Sequence, residues 1–161
     1  MLSKPKSMTA SLFLCVLCGT LLAADGPADS KKESKDAGAL QGTWQVTRQD
    51  IGDQPTAQDP TTHRLVFSGK EFRLMEGDNE VAKGTFKLDP AASPHTIDMD
   101  ITESSEPDAA GKVALGIYEL KGDDLKWCSA QPGSDQRPTK FDTKGTQNML
   151  ATLHRKAAQK K

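Results

Sequence analysis

Few residues of this chain have the type and spacing to do chemistry. His63, His95 and His154 lie far apart in the sequence, and no pair has the short spacing of a metal-binding motif. Asp98, Asp100 and Glu103 fall in one short stretch and would suit a hard cation such as calcium if their oxygens converged. The alternation around the two aspartates points instead to the wet face of a strand, where charge also discourages edge pairing. "EGDNE" (76–80) is acidic but lacks the length and ligand order of a calcium loop, so a hairpin turn is expected. There is no G-x-S-x-G elbow, no histidine with an evident carboxylate partner and no glycine-rich phosphate cradle. These absences set the expectation: no catalytic residues, no metal site, no cofactor, and a protein that is not an enzyme.

The cysteines narrow the chemistry further. "CVLC" places Cys15 and Cys18 at redox or metal spacing, yet both sit in the apolar run "ASLFLCVLCGTLLAA" behind Lys4 and Lys6. A charged start, a short apolar centre and small residues at the exit describe a secretory signal peptide, residues 1–24, cleaved near Ala24. Lipoprotein processing at either cysteine is the weaker alternative, because Leu14 and Leu17 precede them where a small residue is preferred. The mature protein is therefore expected to be exported, periplasmic or extracellular, with no membrane span once the leader is removed. Cys128 alone remains. It is either a buried small apolar residue, the favoured reading, or a thiol that pairs between chains.

The leader takes Lys4 and Lys6 from 21 basic residues, leaving 19 against 22 acidic ones. Nucleic-acid binders carry a clustered basic face, and this mild balance gives no case for one. Residues 25–39, "DGPADSKKESKDAGA", contain no Val, Ile, Leu or aromatic side chain. They have too little to bury to offset ordering entropy, so a flexible linker is expected. Residues 157–161 read as a basic tail. Between them, residues 40–156 have the size of one domain.

The elements that must position any site are strands. Apolar residues recur with period two in eight short runs: "TWQVTR", "HRLVFS", "EFRLME", "EVAKGTFKL", "HTIDMDIT", "VALGIYEL", "DLKWCSA" and "NMLATLHR". In the fifth, Ile97, Met99 and Ile101 share one face, and Asp98, Asp100 and Thr102 the other. "SGKE", "EGDNE" and "KGDD" supply turn residues between runs. Gln49 to Thr62, with Pro55 and Pro60, reads as a loop with at most a brief helical turn. Eight antiparallel strands in one small domain leave a closed up-and-down barrel or a sandwich.

"GTW" at the start of the first strand, with Arg155 near the end of the last, resembles the first and last signatures of lipocalin and calycin barrels. In those barrels a tryptophan plugs the closed end and a basic side chain packs over its ring, which implies a structural plug made of Trp44 and Arg155. A fuller resemblance, to uncharacterised exported lipocalin-like domains of Planctomycetes, runs through five blocks in order. They are "LQGTWQV", "RLVFSGKEFRL", "EVAKGTFKLDPAASPHTID", "LGIYELKGDDLKWCSAQPGSDQRPTKFDT" and the closing apolar strand. It implies an all-β, small antiparallel lipocalin-like barrel and carries no assigned substrate or catalytic residue.

Barrels of about eight strands are just wide enough to hold one small ligand or to be filled by their own side chains. The inward residues expected to line the interior are Leu65, Phe67, Phe72, Leu74, Phe86, Leu115, Ile117 and Trp127. Two functions follow: a binding module for a small apolar ligand, or a filled barrel that contacts envelope proteins through loops such as "AQPGSDQRPTKF".

Overall fold

The computed structural model describes residues 35–55 and 59–157. The expected signal peptide at 1–24, most of the expected linker and the last four residues of the expected tail lie outside the described residues. Nine strands follow in order: β1 (Gly42–Ile51), β2 (Gln54–Pro55), β3 (His63–Ser68), β4 (Glu71–Glu76), β5 (Asn79–Asp89), β6 (His95–Ser104), β7 (Val113–Lys121), β8 (Asp124–Ser129) and β9 (Met149–Arg155). All eight expected runs are strands. β2 is a two-residue ribbon on β1, and the brief helical turn is a 3-10 turn at Pro60–Thr62, capped by the Asp59 carboxylate.

Every pairing is antiparallel, each long strand beside its sequence neighbour, and β1 also pairs with β9. That last pairing closes an eight-stranded up-and-down barrel and leaves no free edge, which removes the hazard of open ladder groups. Tight turns join strands at one end; at Gly69 the backbone takes φ 62, a value that suits glycine. The Gln41 side chain braces this turn, accepting from the Gly69 N–H at 2.7 Å and donating to its carbonyl at 3.1 Å. The opposite end carries longer connections, 105–112 and 130–148.

Alternation fills the interior. Trp44, Val46, Leu65, Phe67, Phe72, Phe86, Leu88, Ile97, Met99 and Leu153 are all buried in one core. Phe67 and Phe86 meet edge-on, with centroids 4.9 Å apart, an arrangement favoured by the ring quadrupole.

The linker expectation ended at residue 39, but residues 35–40 form a short helix laid on the closed end. Leu40 is fully buried. The Asp36 carboxylate accepts from the Tyr118 hydroxyl at 2.8 Å and lies 3.6 Å from His95 Nδ1. A segment whose one large apolar side chain is Leu40 is ordered here by two anchors, that leucine and the Asp36 hydrogen bond. Composition alone could not show that Asp36 meets Tyr118 across 82 residues of sequence.

Candidate functional site

The eight long strands each turn alternate side chains into the barrel, and in its open half these do not meet. They enclose a cavity of about 540 Å³, within the range of small-molecule sites. Leu65, Phe72, Leu74 and Trp127, all expected inside, line it. Met99, Ile101, Ala82, Ala114 and Met149 complete the apolar wall. The small side chains Ala82 and Ala114 leave much of this space. Ile51, 41% exposed, stands at the mouth, and Ser104, Glu106, Gln131 and Gln147 form a polar rim.

Phe67 and Phe86 are also inside but belong to the packed half, away from the cavity. Leu115 and Ile117 require a correction. Their strand partners are Asp98 and Thr96 on β6, and Ile117 also pairs with Cys128 on β8. These positions share the outer face, while Ala114, Gly116, Tyr118 and Leu120 point inward. Period two was right; its phase was not, because β7 is apolar on both faces.

The outer face of β7 and β8 is buried because residues 130–148 fold back over it. Arg137 anchors the cover: its guanidinium donates to the Gly116 carbonyl at 2.8 Å and lies 2.6 Å from an Asp98 oxygen. The Lys126 ammonium sits 5.1 Å from the centroid of the Phe141 ring, and Cys128 Sγ reaches the Asp142 carbonyl at 3.9 Å. Cys128 is fully buried, and burial pushes its thiol above the ordinary value by disfavouring the thiolate. A polar cleft of about 350 Å³ lies within this same segment. Its one strongly placed cation, Arg137, is already committed to Asp98, so the cleft offers a ligand little.

Gly116 backs Trp127, a residue of the cavity wall. A Cβ on Gly116 would come within 2.8 Å of Trp127 Nε1 and 3.0 Å of the Cys128 carbonyl oxygen. Only glycine lets the indole lie this close to β7. The Trp127 Nε1 is buried without a hydrogen-bond partner, which costs on the order of 1–3 kcal/mol.

At the closed end, Trp44 is fully buried and its Nε1 donates to the Leu40 carbonyl at 2.7 Å. Arg155 lies over its ring, 4.2 Å from the centroid.

The histidines stay apart. His63 starts β3, His95 meets Asp36, and His154 pairs with Asp124 at 2.8 Å. Asp98 is held by Arg137, and Glu103 by Lys83 at 2.9 Å. Among the described residues, no group of three or more His, Cys, Asp or Glu side chains is placed to hold a metal ion, and no helix is long and apolar enough to cross a membrane. Comparison with protein-family models, with curated proteins and with solved structures gave no match.

Proposed function

We propose that this chain is an exported, non-catalytic binding protein that holds one small apolar molecule in the open half of its barrel. The observation that carries this reading is the apolar cavity of about 540 Å³, reaching the surface at one end and backed by a packed core at the other. An apolar molecule gains by leaving water, roughly in proportion to the area it buries, and a closed sheet supplies a wall with no unsatisfied ladder groups. The leader-like first 24 residues and the resemblance to exported lipocalin-like domains of Planctomycetes support export and a carrier-type barrel; neither brings a substrate. The alternative, a filled barrel that serves only protein contacts, is less well supported because the open half is not filled.

The test is titration with the neutral dye N-phenylnaphthylamine, followed by its fluorescence. One saturable site per chain is expected. Leu74→Trp, which adds bulk to the cavity wall, should weaken binding by about tenfold or more while leaving the β-sheet circular dichroism unchanged. Non-saturable binding, or full binding by a folded Leu74→Trp protein, overturns the reading.

A further inference from the structure

The rim of the cavity carries one formal charge. Of all the side chains around it, Glu106 alone is ionisable at neutral pH. The backbone that carries it is held: the Ser105 N–H donates to the Val81 carbonyl at 2.8 Å, Gly111 to Ile101 at 2.8 Å and Ala109 to Glu106 at 3.1 Å. Ala109 packs against the core, so the 105–112 connection is seated at the mouth. The Glu106 carboxylate has no hydrogen bond or ion pair with any described residue. Across the described residues of the connections at this end, 52–55, 59–62, 77–78, 105–112 and 130–148, carboxylates outnumber cations by seven to four. Some of these charges are already paired: Arg137 holds Asp98 on β6, Lys140 lies 3.1 Å from Asp142, and Asp78 lies 3.5 Å from Arg64, whereas Glu106 has no such partner.

An apolar tail in the cavity leaves its head group at this rim. A carboxylate head would meet an unpaired carboxylate beside a low-dielectric wall, where like charges repel more strongly than in water. A cationic head would find there the counter-charge that Glu106 lacks. We infer that the cavity selects amphiphiles with a cationic, ammonium-type head over fatty-acid-like anions, with Glu106 as the specificity-determining residue. This inference rests on the binding reading above.

Three ligands with one tail separate the two. Decylammonium, decanol and decanoate, each below its micelle concentration, compete with N-phenylnaphthylamine at neutral pH and low salt. The expected order is ammonium, then alcohol, then carboxylate. The first and last should differ by about tenfold, since the pair swings from attraction to repulsion at a partly exposed site. Glu106→Gln should compress the order and Glu106→Lys reverse it, both leaving decanol unchanged. Decanoate binding as tightly as decylammonium, or an order indifferent to both substitutions, overturns the charge selectivity while the apolar site stands. Failure of all three ligands to displace the dye overturns the binding reading itself.

Discussion

Trp44 and Arg155 face each other as partners across β1 and β9, with the guanidinium 4.2 Å from the centre of the indole ring. The contact falls on the pairing that closes the barrel. Arg155 is held in place over the ring: Nε donates to Asp123 at 2.8 Å and Nη1 to the Gln41 carbonyl at 2.6 Å, while Nη2 reaches the Ala39 carbonyl. One side chain thus joins the last strand, the β7–β8 turn and the end of the N-terminal helix around a single buried ring. The ring supplies apolar burial, and the cation adds electrostatic attraction to its face.

Trp44→Ala should cost about 3–5 kcal/mol, the range for a fully buried tryptophan. Arg155→Ala should cost less, about 1–3 kcal/mol, as it breaks charged hydrogen bonds at a partly exposed site. Denaturant unfolding of both single variants and the double variant checks this. The double variant should fall short of the sum by at least 0.5 kcal/mol or so; strict additivity would mean that the two side chains stabilise the barrel independently.

The helix at 35–40 should unlatch when either anchor is removed. Tyr118→Phe deletes the hydrogen bond to Asp36 and should cost about 1 kcal/mol. Leu40→Ala should cost about 2–5 kcal/mol. Hydrogen exchange should show the loss of protection in Tyr118→Phe confined to the helix, with the barrel strands unchanged. Protection lost equally across the sheet would make Tyr118 a general core residue instead of a latch.

Cys128 reports on the cover of the outer face. In the native protein its alkylation should be slower than in the unfolded chain by about a hundredfold or more, because the thiol reacts only when residues 130–148 open. Arg137→Ala, which frees that segment from Gly116 and Asp98, should speed the reaction without unfolding the barrel. The thiol also sets a pH dependence. Its native pKa is raised, so above the ordinary value of 9.0 the unfolded chain loses the proton first. Its contribution to stability is whole below that pH and declines as pH rises toward the native value. Cys128→Ala should remove that slope, and denaturant midpoints across alkaline pH would show it.

Much of this was legible in residue order. Strands such as "HTIDMDIT" carry one apolar and one polar face, so both their existence and their phase follow from alternation. β7, "VALGIYEL", carries apolar residues on both faces, and its phase depends on what covers the outside. That cover comes from residues 130–148, rich in polar and turn-forming residues and offering no periodic signal. The helix at 35–40 was hidden for a related reason, as its anchors are partners distant in sequence. Four lining residues of the cavity, Leu65, Phe72, Leu74 and Trp127, were legible from alternation; its extent was not, because the space is left by the short side chains of Ala82 and Ala114 more than by the aromatic residues.

Gly116 tests whether the cavity wall is as tightly specified as it looks. A methyl group there cannot coexist with the indole of Trp127 in its present place, and the Cys128 carbonyl blocks retreat into the sheet. The side chain must therefore swing toward the open space of the cavity. Gly116→Ala should cost about 1–3 kcal/mol, as expected for overpacking, and should weaken dye binding as the indole takes up cavity volume. Trp127→Phe in the same background should recover much of the stability, since a smaller ring clears the methyl group. Thermal unfolding and the dye titration together decide it: a Gly116→Ala protein that keeps both full stability and full binding would show that the wall yields elsewhere and that Trp127 is not held by this glycine.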